Sequence, residues 1–366
     1  MKKKIKIVPD TLRDFLTIAM GVVPKKSLMP ILDNIIVSVT KELLIIKAGT
    51  IENQITISIE GYYDEEFTIC VPAQTFCSTI ISIYAASVVL EYDEKKLTIV
   101  HGKSRYSMPT YNASEYPAIS IIQGGFKIEV DGLELHKSIQ NAASLVNPSD
   151  SRTSLTGVNL SLTGGVLSVM GSDGTSAMMQ KIKTTYSAFK DSLITKDLAS
   201  IISLMKFKGQ ATLETNGKNV EIVCDCFKIN SRALESTYPP LQKLIDLRKQ
   251  EYITVNKIEL MEALRRLKLF TSAEVPRVML VVEDNTLSLH SDNVNHGKEA
   301  VEVIDVNNFN VPPMKIRFNI NSVNNMVSRI ECDKIKIYLT KENERGHFLP
   351  EAEEINVEWL IAPTSD

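Results

Sequence analysis

Histidines, cysteines and clustered carboxylates are the residues that would carry chemistry in this chain of 366 residues, and their spacing sets up none. His101, His136, His290, His296 and His347 are scattered without metal-ligand spacing, and His290 and His296 flank a polar turn where an imidazole is normally solvated. Cys70, Cys77, Cys224, Cys226 and Cys332 are odd in number and scattered along the chain, the pattern of free thiols in a reducing compartment. Cys224 and Cys226, at i and i+2, would share one face of a strand; no second ligand pair lies nearby, so they read as packing residues. The chain has no G-x-x-x-x-G-K-[ST] phosphate loop, no G-x-S-x-G elbow and no H-E-x-x-H helix. Ser172-Asp173 sets a hydroxyl beside a carboxylate, but between Gly171 and Gly174 those residue types serve turn geometry equally well. Asp64-Glu65-Glu66 and Glu351–Glu354 read as exposed acidic loops. The expectation is a protein without catalysis, metal or cofactor.

The elements around these residues repeat, and the repeat is more informative than any single motif. A short alternating strand runs into an amphipathic helix three times: Lys4–Val8 into Asp10–Val23, Phe126–Val130 into Leu133–Val146, and Tyr252–Val255 into Ile258–Phe270. Each opening leads to a hairpin: Leu32–Val39 with Leu43–Lys47, Val158–Leu162 with Val166–Met170, and Val278–Val282 with Leu287–His290. Each copy then has a strand entering a second helix, at Ala73–Ala85, Thr195–Lys208 and Ile320–Ile330. Asn216-Gly217 is the strongest hairpin turn, and Pro117–Gly125 and Pro239–Gln250 have the composition of linkers. The fold class is α+β: three repeated domains, 1–124, 125–246 and 247–366, each with two helices packed on antiparallel β-sheets.

Bulk composition excludes several classes. With 44% hydrophobic and 23% charged residues the chain is an ordinary globular protein, and no apolar run approaches the ~20 residues of a membrane span. The start, MKKKIKIVPD, reads as a first strand, not as a secretion signal, so a soluble cytoplasmic protein with no membrane partner is expected. Net charge is −3, but the six helices carry ten basic against six acidic side chains, which leaves −7 on the remainder. Helices gathered on one side would make a basic lining in an acidic shell, suited to sequence-independent contact with phosphates. Solvated helix faces and lysines near helix C-termini account for the same numbers.

The chain resembles a known family, the bacterial DNA polymerase III β subunits or β sliding clamps. The resemblance spans essentially the whole chain and rests on Leu28-Met29-Pro30-Ile31-Leu32-Asp33-Asn34, Lys103-Ser104-Arg105-Tyr106-Ser107, Glu115-Tyr116-Pro117, Ser172-Asp173-Gly174, Tyr238-Pro239 and Phe318-Asn319-Ile320. It implies a non-catalytic processivity factor for DNA replication: a head-to-tail homodimer closed as a ring around double-stranded DNA. It also implies that the polymerase III catalytic subunit and the clamp loader dock through short linear peptides. Under it, Arg13, Lys26, Lys137, Lys196, Lys206, Lys208, Arg265, Arg266 and Lys268 face DNA. The dimer edge comprises Lys103, Arg105, Tyr106 and Met108 against Leu269, Phe270, Glu299 and Glu302, with the lysine and arginine opposite the glutamates. The peptide pocket comprises Leu155, Ser172, Gly174, Thr175, Ser176, Ala177, Pro239, Lys243, Leu244, Asn319, Ser322, Leu360, Ala362, Pro363 and Thr364. The family commonly has His-Arg where this chain has Thr175-Ser176, and Met-Pro-Met-Arg where it has Ala362-Pro363-Thr364-Ser365, so its pocket should be smaller and less basic. Two other readings stay open: a clamp fold serving another partner, and a β-rich repeat protein, binding or enzymatic, without a DNA function.

Overall fold

The computed structural model describes residues 2–24, 27–117, 122–245, 250–272, 274–293, 297–339, 341, 344–352 and 356–364. Among the described residues seven α-helices lie among many antiparallel strands: α1 (Pro9–Val22), α2 (Ala73–Ser82), α3 (Gly132–Ala143), α4 (Lys196–Ser203), α5 (Leu241–Ile245), α6 (Lys257–Leu267) and α7 (Ile320–Arg329). The recurring order is visible in α1, α3 and α6, each of which directly follows a short strand.

The chain forms two compact units. The first comprises Met1–Lys137, Ser161–Gly165 and Thr184–Glu235. It holds a four-stranded antiparallel sheet in the order Lys3–Ile7, Val88–Tyr92, Lys96–His101, Ser104–Pro109. It also holds a longer antiparallel run: Phe67–Pro72, Asn34–Val39, Leu43–Gly49, Asn53–Glu60, Phe227–Leu234, Asn219–Cys224, Gln210–Thr215 and Phe126–Asp131. The joint in that run is Asn53–Glu60 with Phe227–Leu234, which links the first sequence repeat to the closing strand of the second.

The second unit comprises Ser138–Leu160, Val166–Lys183 and Ser236–Asp366. Its antiparallel run is Val166–Ser172, Ser176–Lys183, Val357–Ile361, Gly346–Pro350, Lys334–Tyr338, Tyr252–Asn256 and Asn307–Phe309. Here Ser176–Lys183 of the second repeat joins Val357–Ile361, the closing strand of the third. A separate four-stranded sheet follows the order Lys298–Asp305, Thr286–Asn293, Arg277–Glu283, Met314–Asn319.

Local chemistry explains the helix starts. Pro9 opens α1, where a missing N–H costs nothing, and Asp10 sits inside the first turn. Thr195, Asn256 and Asn319 cap α4, α6 and α7 by accepting hydrogen bonds from backbone N–H groups two or three residues on. Leu12, Leu16 and Ala19 of α1 and Phe76, Cys77 and Ile80 of α2 are buried, as their helical spacing requires.

Several details depart from the sequence reading: α2, α3 and α6 each end three residues before the expected end. The helix expected over Thr195–Lys208 ends at Ser203, so Lys206 and Lys208 lie beyond it. Cys224 ends a strand and Cys226 lies in the turn after Asp225, whose φ is +52°, so the two thiols do not share one strand face. The Pro239–Gln250 linker contains α5, whose Leu241, Leu244 and Ile245 fall at i, i+3 and i+4.

Candidate partner, dimer and DNA-facing surfaces

The turn between strands Val166–Ser172 and Ser176–Lys183 is held by its own side chains. Asp173 Oδ1 accepts from the backbone N–H of Thr175 at 2.8 Å, the Thr175 hydroxyl at 2.8 Å and the N–H of Ser176 at 2.6 Å. The Ser172 hydroxyl donates to the Ser176 carbonyl at 2.8 Å and accepts from Gly174 N–H at 3.0 Å. Ser172 and Asp173 are thus committed to turn geometry, not to a nucleophile. Gly174 has φ +89°, and the Arg152 guanidinium lies over it; a Cβ there would be 2.4 Å from a guanidinium nitrogen. Asp150 holds that guanidinium through Nε and Nη2 at 2.9 Å each, and Arg152 in turn brings the Asp150 carboxyl down to about 2.

The C-terminal strand lies alongside. Ser176 pairs with Ile361 and Ala177 with Leu360; Ala362 N–H reaches the Thr175 carbonyl at 2.8 Å, and Thr364 N–H reaches Arg317 O at 2.9 Å. Met170, Ala177, Met179, Leu241, Ile245 and Leu360 form one buried apolar cluster, with Tyr238 and Leu244 packed against it. Burial raises the Tyr238 phenol well above its ordinary pKa. Of the expected pocket residues, this arrangement gathers Ser172, Gly174, Thr175, Ser176, Ala177, Leu244, Leu360 and Ala362. Leu155 is buried, Pro239 precedes α5 by two residues, Lys243 lies on the exposed side of α5, Pro363 is half-buried, and Asn319 caps α7 by accepting from the N–H of Ser322. Sequence reasoning missed Met170, Met179, Leu241, Ile245 and Arg152; the helical spacing of the α5 residues was a usable signal, whereas nothing in the sequence marked Arg152.

Two sheet edges carry the expected dimer residues. Ser104–Pro109 ends the first unit's four-stranded sheet, and Lys298–Asp305 ends the second unit's. On the first edge Tyr106 is exposed and Lys103 lies at the exposed turn, while Met108 is already buried within the chain. Arg105 is ion-paired with Glu91, which also holds Lys4 at 3.0 Å. Near the second edge Val301, Val303, Leu269 and Phe270 are exposed, as is Glu299. Glu302 receives both Nε and Nη2 of Arg266, at 2.7 and 2.8 Å.

The cationic residues expected to meet DNA fall into distinct environments. Arg13 is engaged locally: it pairs with Asp10, donates to the Ile81 and Ile83 carbonyls and lies 4.3 Å from the Tyr84 ring centroid. Lys206 and Lys208 are exposed at a cleft of about 630 Å³ that also presents Asp10, Asp14 and Asp225. Lys137 and Lys196 are half-buried on α3 and α4, Arg265 and Lys268 are exposed, and Lys26 lies outside the described residues. No cluster of His, Cys, Asp and Glu among the described residues could hold a metal ion, and no described helix is long and apolar enough to cross a membrane.

Two family models match: the DNA polymerase III beta subunit N-terminal domain over residues 3–120, and its C-terminal domain over residues 242–365. The chain belongs to the DNA polymerase III beta subunit family. It is 21% identical over 350 residues to the beta sliding clamp of Haemophilus influenzae, across 94% of each chain. Its fold superposes on the crystal structure of the Pseudomonas aeruginosa sliding clamp bound to griselimycin with a TM-score of 0.93 at 18% identity, over the whole of both chains. The Thermotoga maritima beta subunit gives 0.89 at 19% identity, again over both full chains. Members of this family are non-catalytic processivity factors of DNA replication, and the α+β architecture of antiparallel sheets with few helices is the sliding-clamp fold.

Proposed function

We propose that this beta subunit acts as a head-to-tail homodimeric ring that encircles double-stranded DNA without reading its sequence. The observation that carries the reading is a repeated joint with one instance missing. The first repeat's Asn53–Glu60 pairs with the second's closing strand Phe227–Leu234, and the second repeat's Ser176–Lys183 pairs with the third's closing strand Val357–Ile361. The equivalent strand of the third repeat, Lys298–Asp305, and the closing strand of the first, Ser104–Pro109, are both sheet edges. A second copy would pair them, and a heterologous joint used twice closes a ring. The three-domain division at 124/125 and 246/247 belongs to this reading.

Within that ring Arg265, Lys268, Lys206 and Lys208 would supply mobile phosphate contacts, with Lys137 and Lys196 adding to the lining. The cluster around Leu360 and Ala177, walled by the Ser172–Ser176 turn, would receive short linear peptides of the polymerase III catalytic subunit and the clamp loader. The griselimycin bound to the Pseudomonas aeruginosa clamp supports a ligand pocket on this fold. The protein would work in the cytoplasm, where replication proceeds. Light scattering over a hundredfold range of concentration tests the ring: a mass twice the 40.8 kDa of one chain is expected, and a monomer throughout would overturn it.

A further inference from the structure

One cross-strand row in the second unit runs beyond the apolar cluster. Ala177 pairs with Leu360, Leu360 with His347, His347 with Tyr338, Tyr338 with Tyr252, and Tyr252 with Phe309. Residues in direct register point to one face of a sheet, so the pocket floor and three aromatic rings share that face. His347 is buried and hydrogen-bonded to Glu358 at 2.7 Å, after which the row opens: Tyr338 and Tyr252 are half-buried and Phe309 is 58% exposed. Tyr252 stacks on Phe309 at 5.1 Å between centroids with 5° between planes, and lies 5.0 Å from Tyr338. Lys336, two residues from Tyr338 and on the same face, is 5.1 Å from the Tyr252 ring.

We propose that the Tyr338–Tyr252–Phe309 ridge is a second docking surface for the same partner polypeptide whose linear motif occupies the pocket, taking a flanking segment that carries an aromatic side chain and a carboxylate. This rests on the pocket reading given above. The ring spacing of 5.0–5.1 Å is close to the strand spacing, so the rings stand up from the sheet and pack on one another, Phe309 parallel to Tyr252 and Tyr338 tilted from it by 42°. Such a ridge leaves no gap for intercalated bases and offers ring edges instead, which suits aromatic side chains of a protein partner more than single-stranded nucleic acid. Lys336 adds a cation for a carboxylate on that segment. The distance is short: Leu360 to Phe309 is four strand spacings, about 19 Å, which an extended peptide covers in about six residues.

Fluorescence anisotropy on the full chain tests this. The probes are a ten-residue peptide from the tail of the host polymerase III catalytic subunit, and the same peptide with an eight-residue Ser/Glu/Trp extension at either end. The extension at one end is expected to tighten binding at least fivefold, and Phe309→Ala or Lys336→Glu to remove that gain while leaving the ten-residue peptide unaffected. No gain from either extension, or a gain that both variants retain, overturns the ridge. A ten-residue peptide that fails to bind removes the pocket reading. In that case a long peptide bound through Phe309 would keep the ridge as an independent site, and a long peptide that also fails would remove both. A single-stranded oligonucleotide bound by the wild type and released by Phe309→Ala would overturn the peptide assignment in favour of nucleic acid.

Discussion

Arg266 of α6 holds Glu302 of the edge strand Lys298–Asp305 in a two-pronged ion pair, Nε at 2.7 Å and Nη2 at 2.8 Å. The family resemblance assigned the first residue to DNA and the second to the dimer edge, yet they are bonded to each other. The pairing holds the Glu302 carboxyl below the usual carboxylate range, and Glu262 contributes a second, longer contact to Arg266 at 3.8 Å. A phosphate must therefore compete with Glu302 for Arg266.

The consequence for DNA is an unequal pair. Arg265→Glu should weaken DNA association more than Arg266→Glu, because the charge of Arg266 is already offset. Glu302→Gln should tighten DNA association and steepen its salt dependence by about one ion per site as Arg266 is released. Anisotropy on duplex DNA across a salt series measures both; equal losses at the two arginines and an unchanged slope for Glu302→Gln would contradict the assignment.

The wall at Gly174 separates backbone strain from pocket shape. Gly174→Ala forces a left-handed φ of +89° on an alanine and pushes a Cβ into the Arg152 guanidinium, whereas Gly164→Ala meets φ +58° with open space around it. Each substitution should cost about 1 kcal/mol and lower Tm by about 2–4 °C. Only Gly174→Ala should also weaken peptide binding. Equal effects on binding would show that the Arg152 contact is irrelevant to the pocket.

Acid should act on the first unit through Glu91. Its hydrogen bond to Lys4, then that to Arg105, hold its carboxyl below the ordinary range. A carboxyl depressed by folding stabilises the fold above its unfolded pKa, and the contribution fades as pH falls through the lower folded value. Glu91→Gln should lower Tm by about 1–3 °C at pH 7, and the gap from wild type should close as pH drops below 4. A gap that widens in acid would contradict the pairing.

Much of the architecture was legible because it is written in short-range patterns. The Asn216-Gly217 and Thr163-Gly164-Gly165 turns lie between the strands they were expected to join, with Gly217, Gly164 and Gly165 at positive φ. The six helices appear in their expected places, but α2, α3 and α6 each end three residues before the expected end and α4 five, where Leu204 and Met205 leave the helix. The site was less legible, because it depends on contacts far apart in sequence. Arg13 reads as a cation on a helix, but only the fold brings it to the Ile81 and Ile83 carbonyls. Arg152 reads as a loop residue, and only the fold lays it over Gly174. Composition and spacing alone could not have distinguished Arg266 from Arg265 either, since the difference is a glutamate 36 residues away.

A closed ring holds DNA topologically, so retention on DNA tests it most directly. The protein is loaded by the host's clamp loader onto a nicked circular plasmid, freed of loose protein by gel filtration in high salt, and the plasmid is then cut once. The ring account predicts that protein stays with the circle and leaves within minutes of linearisation. Protein that remains bound equally well to the cut DNA would contradict it.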